Sequence, residues 1–174
     1  MKEIREILGD LDIELLSIKR CRNSCRYCRR WKTFEENAQI KARTICNLTG
    51  EIVLADDSGL EIDYLNKEPG IYSARYMGED TSYHIKNANL IERLEGVPDE
   101  KRTARFVCAI AAAFPDGTMK TVRAAMEGRI GYKESGENGF GYDPIFYLPE
   151  YGCTSAELSM EEKNRSATEG RLCA

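Results

Sequence analysis

The chain has 174 residues and a formal net charge of −4; 42% of its residues are hydrophobic and 31% are charged. These proportions fit one soluble domain of ordinary size and exclude a disordered or fibrous protein. The longest nearly apolar run, residues 106–114, is about half of the ~18 residues that a membrane span needs, and the acidic balance gives no broad basic surface for a polymeric nucleic acid.

Periodicity and capping residues predict the elements of the first third of the chain. Residues 2–8 are spaced as a helix and residues 13–18 as a strand. Thr33 and Glu36 form a capping box that begins a helix, and Gly50 ends it. We expect this helix to bury a stripe made of Phe34, Ala38, Ala42, Ile45 and Leu48.

The remaining elements alternate between strands and helices. Residues 52–55 predict a short strand that breaks at 56–59, and the alternation over 60–64 predicts another. Residues 82–94 predict a helix, and strands 105–114 and 119–126 form a hairpin through the turn 115–117. A glycine-rich loop, 135–141, and a capping box at 159–162 complete the pattern. The sequence therefore predicts one α/β domain with a mixed twisted sheet flanked by helices.

Two adjacent carboxylates, Asp56 and Asp57, follow directly on a predicted buried strand. Ligands gather at the carboxyl ends of strands in open α/β sheets, and paired carboxylates can hold a divalent ion that binds phosphate oxygens. Ser58 and Gly59 fit such a site, because one offers a hydroxyl and the other permits a close backbone approach. They fit a simple turn equally well, so the residues alone leave both interpretations open.

The second candidate site is the sequence Gly-Phe-Gly-Tyr-Asp-Pro at 139–144. Two glycines flank Phe140, whose ring can stack on a flat ligand while Tyr142 and Asp143 offer polar groups. Composition alone favours the alternative of a turn with Phe140 in the core. Lys41 and Lys163 are candidate phosphate partners or solvated helix charges. His84 is the only histidine and is interpreted as a surface residue, which argues against histidine-based catalysis.

Six segments in order resemble the inosine triphosphate pyrophosphatase family, also called XTP/dITP diphosphatases. They are TFEENAQIKAR (33–43), LADDSGLEID (54–63), EPGIYSARYMGED (68–80), RFVCAI (105–110), GENGFGYDPIF (136–146) and EEKN (161–164). The resemblance implies an elongated two-lobed α/β fold with a central cleft. It also implies a homodimeric, Mg²⁺-dependent enzyme that hydrolyses ITP, dITP and XTP to the monophosphate and pyrophosphate. The odd number of cysteines, seven, without a secretory signal indicates separately a reducing, cytoplasmic location.

The resemblance also implies roles for individual residues. Asp57 would be the general base and a metal ligand, and Asp56 would support the ion. Ser58 would contact the substrate, and Lys41 and Lys163 would meet phosphate or base. The nucleobase wall would consist of Phe140, Gly141, Tyr142 and Asp143.

Three motifs of the family are absent, so the resemblance implies a single domain, residues 1–174, truncated at both ends. No phosphate loop precedes Met1, an acidic turn is replaced by Arg29-Arg30-Trp31, and no Ser-His-Arg follows Asn164. Residues 21–31, read one nucleotide later in suitable codons, give Ala-Gly-Ile-Ala-Val-Asp-Ile-Val-Glu-Asp-Gly, and one added nucleotide near Ser166 restores Ser-His-Arg. We therefore predict that a lesion or a sequencing error has shifted the frame at 21–31 and 166–174, and that the chain as written is weakly active or inactive. Resequencing of the gene that returns the codons as written would contradict this hypothesis.

Two other interpretations remain. Cys21, Cys25 and Cys28 have the spacing by which radical enzymes hold a [4Fe–4S] cluster, although the chain is too short for the barrel of those enzymes. The second is an inactive nucleotide-binding remnant, which differs from the enzyme only in turnover.

Overall fold

The computed structural model describes residues 32–159, which contain two α-helices and five β-strands. These are α1 (Phe34–Thr49), β1 (Val53–Ile62), α2 (Tyr83–Arg93), β2 (Thr103–Ala113), β3 (Met119–Ile130), β4 (Phe146–Leu148) and β5 (Cys153–Thr154). The elements predicted at 2–8, 13–18 and after 159 lie outside the described residues, as do Lys163, the cysteine cluster and both proposed frameshifted segments.

The five strands form one sheet in the order β1-β2-β3-β4-β5. Each neighbouring pair is antiparallel, and the long pairs β1–β2 and β2–β3 join at ten and eleven residue positions without a break. The predicted α/β class is confirmed. The hairpin predicted between β2 and β3 is also confirmed, and both strands are longer than the sequence pattern indicated.

Helix α1 begins and ends where its capping residues predict. The Thr33 hydroxyl accepts a hydrogen bond from the Glu36 amide at 3.2 Å, and Gly50 adopts the left-handed φ of 72° that ends the helix. Phe34, Ala38 and Ala42 are buried as expected. The expectation for Leu48 was wrong, since it is 66% exposed and Cys46 is buried at that end of the helix.

Strand β1 is the main departure from the predicted elements. The turn expected at residues 56–59 does not form, because all four residues lie within the continuous strand Val53–Ile62. Asp56 pairs with Ile110 and Asp57 with Ala109 in the ladder to β2. Tyr64, predicted in a second strand, lies in a short 3-10 turn at Asp63–Leu65.

Two separate groups of buried residues lie along the sheet. One joins α1 to β1 and β2, and includes Phe34, Ala42, Val107 and Ala111. The other joins α2 to the far end of β1 and to β4, and includes Leu60, Leu90 and Phe146. Because β1 contributes to both groups, the aspartates in its middle lie between the two parts of the core.

Candidate active site

Each oxygen of the Asp57 carboxylate contacts a side chain of helix α1. Asn37 Nδ2 donates to Asp57 Oδ2 at 3.0 Å, and Lys41 Nζ lies 2.5 Å from Asp57 Oδ1. Asn37 and Lys41 are one helical turn apart, so their side chains project from the same face of α1 towards the strand. The Asp57 side chain retains 17% exposure, which leaves it accessible to a small reactant such as water.

Lys41 bridges the backbone and the side chain of the strand. Its ammonium group also donates to the Asp56 carbonyl at 2.9 Å. An ammonium group has three donors, and these contacts use two of them. Because the side chain of Lys41 is 40% exposed, its third donor is available to an anion that approaches Asp57.

The structure does not bring Asp56 and Ser58 together with Asp57. Successive side chains of a strand point to opposite faces of the sheet, so Asp57 faces α1 while Asp56 and Ser58 face away from it. The weak contact of 3.5 Å between Ser58 Oγ and Asp56 Oδ2 lies on that other face. The expectation that Asp56 and Asp57 jointly hold one ion is therefore not supported by their placement.

The described residues offer a partial fit to Mg²⁺. Within residues 32–159, no group of three histidine, cysteine, aspartate or glutamate side chains is arranged to hold a metal ion. Asp57 presents a carboxylate on the α1 side of β1, beside Asn37 and Lys41, whereas Glu61 on the same face contacts Arg105. Mg²⁺ in nucleotide enzymes is commonly bound by one or two carboxylates together with substrate phosphates, and Asp57 suits that arrangement.

Gly59 allows the segment 70–75 to pack directly on β1 beside Asp57. A Cβ atom at Gly59 would lie 2.5 Å from the Gly70 carbonyl oxygen, 2.6 Å from Ser73 Oγ and 2.9 Å from Phe34 Cε1. No side chain larger than hydrogen fits there without displacing backbone. Gly59 was expected to permit a close backbone approach, and the approaching group is the backbone of segment 70–75.

Phe140 projects into solvent from the turn 139–143. Its side chain is 85% exposed, and the glycines on both sides adopt positive φ angles of 88° and 67°. The composition-based interpretation that placed Phe140 in the core was therefore wrong. An exposed aromatic ring on a turn provides a flat apolar face on which a purine can stack.

The other predicted members of the nucleobase wall brace this turn. Asp143 accepts hydrogen bonds from the Phe140 amide at 3.0 Å and from Ser155 Oγ at 3.1 Å. Tyr142 is buried, its ring meets Tyr83 edge-on at 5.2 Å, and burial raises the pKa of its hydroxyl well above the ordinary value. Phe140 is thus the side chain of residues 140–143 that is free to meet a ligand.

Ser73 connects the turn to the strand. Its carbonyl accepts from the Tyr142 hydroxyl at 2.7 Å, while its own hydroxyl accepts from the Leu60 amide at 2.9 Å and donates to the Gly70 carbonyl at 2.6 Å. Leu60 lies three residues beyond Asp57 on β1. A continuous path of hydrogen bonds therefore joins the exposed aromatic turn to the strand that carries the carboxylate.

A groove of about 900 Å³ lies elsewhere among the described residues. It is lined by the start of α1, by residues 66–72 and by Arg123, and it contains none of Asp57, Ser58 and Phe140. Its charged side chains are Lys32, Lys67, Arg123, Glu35, Glu61 and Glu68, three of each sign. This balance gives no attraction for a triphosphate, and we do not assign the groove to the active site.

Asn37 and Ser73 were missed by the sequence analysis, although both lie inside quoted segments. The spacing of Asn37 and Lys41 on α1 was the available signal, since it places them one helical turn apart. For Ser73 there was no local signal, because two of its partners, Leu60 and Tyr142, lie 13 and 69 residues away in the sequence. His84 is exposed as expected, and its Nδ1 lies 2.6 Å from Glu134 Oε2.

Comparisons with known proteins identify similar sequences and structures. A sequence profile of the Ham1 family matches residues 1–171. The dITP/XTP pyrophosphatase of Exiguobacterium sibiricum is 53% identical over 131 residues, which are 75% of this chain and 66% of that protein. The dITP/XTP pyrophosphatase of Desulforamulus reducens is 46% identical over 171 residues, which are 98% of this chain and 85% of that protein.

A solved structure shows the same fold. The crystal structure of a nucleoside-triphosphatase, dITP/XTP pyrophosphatase, from Mycobacterium abscessus superposes with a TM-score of 0.82 at 39% identity, over 98% of this chain and 87% of that one. Among residues 32–159, neither helix combines the length and the apolar character that crossing a membrane requires.

Proposed function

The chain belongs to the Ham1 family, and from this premise we propose that it hydrolyses deaminated purine nucleoside triphosphates, namely ITP, dITP and XTP, to the monophosphate and pyrophosphate. The resemblance found in the sequence is confirmed by the family match and by relatives that are dITP/XTP pyrophosphatases. The observation that carries the proposal for this chain is the Asp57 carboxylate, which two side chains of α1 orient. Through Ser73, the strand that carries it is joined to the exposed turn 139–143, here called the stacking turn.

Asp57 is proposed as the general base. Water attacks phosphorus at the α–β phosphoanhydride bond: a new P–O bond forms to the water oxygen, the α–β bond breaks, the monophosphate and pyrophosphate separate, and a water proton passes to the carboxylate. Each carboxylate oxygen has more than one lone pair, so the bonds from Asn37 and Lys41 fix the orientation of Asp57 without using its whole accepting capacity. General-base catalysis of this kind contributes roughly 10²- to 10⁴-fold.

The phosphate side of the site is assigned to Lys41 and Mg²⁺. The free donor of Lys41 lies next to Asp57 and supplies positive charge to a phosphate oxygen. When it is bound, Mg²⁺ neutralises triphosphate charge and lowers the pKa of a coordinated water. Lys163 is proposed as a further phosphate or base contact, and it lies outside the described residues.

The base side of the site is assigned to the turn 139–143. We propose that the purine stacks on Phe140, while the backbone of Gly141 and the braces Tyr142 and Asp143 fix the position of that ring. As the resemblance implies, Ser58 is proposed as a substrate contact and Asp56 as a support of the ion, both from the other face of β1. Neither side chain lies beside Asp57.

We also propose that the chain forms one cytoplasmic domain and assembles as a homodimer. These proposals rest on the family resemblance and on the nature of the substrates, which are metabolites of the cytoplasmic nucleotide pool. Size-exclusion chromatography with light scattering tests the dimer. A single monomeric mass across the concentration range would contradict it.

Pyrophosphate release tests the proposed function. ITP, XTP and dITP are compared with GTP and ATP at equal concentration, with and without MgCl₂. We expect preference for ITP, dITP and XTP, as the family resemblance implies. A rate that is equal for all five nucleotides would refute the proposed specificity.

A second measurement, read together with pyrophosphate release, separates an enzyme from an inactive nucleotide-binding protein. Calorimetric titration with ITP in the absence of Mg²⁺ measures binding without turnover. Binding combined with no pyrophosphate release would favour the inactive binder. If ITP neither binds nor releases pyrophosphate, both assignments are overturned.

A further inference from the structure

Asn87 is a buried amide that contacts the backbone of the stacking turn. It lies on α2, is 1% exposed, and donates through Nδ2 to the Gly141 carbonyl at 3.2 Å. The same nitrogen donates to Glu134 Oε1 at 2.7 Å. Both hydrogens of the amide are therefore used, one on the residue after Phe140 and one on a carboxylate.

The orientation of this amide is determined by its neighbours. Both partners of Nδ2 are oxygen acceptors, so the reversed amide would place its oxygen against two other oxygens. Asn87 Oδ1 is buried and has no partner among the described residues. Leaving one acceptor unsatisfied is unfavourable, and the two bonds made by Nδ2 are what hold the side chain in place.

The second carboxylate oxygen of Glu134 contacts His84. His84 Nδ1 lies 2.6 Å from Glu134 Oε2, and the Glu134 side chain is 29% exposed while that of His84 is 79% exposed. The carboxylate thus joins the solvent-facing start of α2 to the buried amide. The path runs from His84 through Glu134 and Asn87 to the carbonyl beside Phe140.

We infer that Glu134 and Asn87 are positioning residues for nucleobase binding: they set the height and direction of the Phe140 ring through the Gly141 carbonyl. This inference rests on the proposed function, since it assumes that a purine stacks on Phe140. Gly139 and Gly141 give the turn wide backbone freedom, so an external bond to its carbonyl restricts conformations that the turn itself does not exclude. A preorganised ring binds its ligand more tightly because less freedom is lost on binding.

The test uses three variants of the full chain and a matched control. Glu134→Ala removes the acceptor, whereas Glu134→Gln keeps an oxygen that accepts from Asn87. Asn87→Ala removes the link itself. Glu137→Ala is the control, because Glu137 is an exposed glutamate of the same loop and lies outside this path.

The readouts separate base binding from phosphate binding. We expect Glu134→Ala to weaken binding of IMP and to raise KM for ITP about tenfold, the size of one lost hydrogen bond to a charged group. Inhibition by inorganic triphosphate, which has no base, and kcat should remain within about twofold. Glu134→Gln and Glu137→Ala should resemble the parent chain, and Glu134→Ala combined with Asn87→Ala should be no worse than the more damaging single variant.

Amide hydrogen exchange of the peptide that covers 139–143 provides a readout that needs no turnover. Exchange should rise in Glu134→Ala and Asn87→Ala and remain unchanged in Glu134→Gln. Unchanged exchange and unchanged IMP binding in Glu134→Ala would overturn the inference, as would equal losses for IMP and inorganic triphosphate. If the parent chain neither binds IMP nor hydrolyses ITP, the proposed function is wrong. If the parent chain does both but the variants do not show the stated changes, the positioning role is wrong.

Discussion

Replacing Gly59 by alanine tests how tightly the segment 70–75 must approach the catalytic strand. The added Cβ would lie 2.5 Å from the Gly70 carbonyl oxygen, so backbone must move by about 0.9 Å to reach an ordinary contact. Ser73 Oγ, at 2.6 Å, can withdraw only by weakening its hydrogen bonds to Leu60 and Gly70. Overpacking of this kind costs about 1–3 kcal/mol, and one weakened hydrogen bond adds about 1 kcal/mol.

We therefore expect Gly59→Ala to destabilise the chain by about 3 kcal/mol, which corresponds to a fall in Tm of roughly 6–12 °C for a domain of this size. Pyrophosphate release should fall more than tenfold even where the variant is folded, because Gly59 lies two residues from Asp57 on the same face of β1. Calorimetry and the ITP assay, run well below the variant's Tm, measure the two effects separately.

Gly131→Ala provides the matched control. A Cβ there would meet its nearest atoms, two carbonyl oxygens, at 3.6 Å, and Gly131 has no positive φ. Its Tm should change by no more than a few degrees, since such a replacement alters stability by about 0.4–1 kcal/mol. If Gly59→Ala melted and turned over like Gly131→Ala, the close packing of segment 70–75 on β1 would be refuted.

Three further perturbations address the carboxylate, the ring and an ion-pair network. Asp57→Asn keeps the shape of the side chain and should lower kcat at least 10²-fold, whereas unchanged turnover would exclude Asp57 as the base. Phe140→Leu should raise KM for ITP about tenfold with little change in Tm, because the ring is 85% exposed; a large fall in Tm would show a packing role instead. Desolvation opposes the charge of Asp63, but Lys67, Thr103 and Arg105 outweigh it and lower its pKa to about 2 from 3.8, so the stability this carboxylate contributes is present above pH 4 and is lost as the pH falls towards 2. Thermal melts between pH 5 and 2 should show a smaller loss for Asp63→Asn than for the parent chain, and equal slopes would contradict the assignment.

The elements that the sequence predicted well are those whose signals are local. Helix α1 has a capping threonine, a terminal glycine and a stripe of small apolar residues, all within its own length. Strand β1 was misjudged because Asp-Asp-Ser-Gly resembles a turn in isolation. Ten consecutive pairings with β2 override that tendency, and these partners lie about fifty residues later in the chain.

The candidate site shows the same division. Phe140 was identified from its flanking glycines, but composition could not decide between core and solvent, since the decision depends on the anchors Ser73, Asn87 and Ser155. Lys41 was predicted as a phosphate partner, and its contact with Asp57 became visible only when the helix was placed on the strand. Contacts made by one side chain across several segments carry no periodic signal in the sequence.

The alternation of β1 limits which changes of length this strand can accept. Insertion of a single residue ahead of Asp56 would turn that aspartate towards α1. Asp56 could therefore be thought able to replace Asp57 as the general base. The same insertion would also turn Leu60 and Ile62, which are fully buried, away from their core. The second aspartate is therefore no reserve for the first, and only insertions or deletions of two residues would keep the carboxylate and the core on their proper sides.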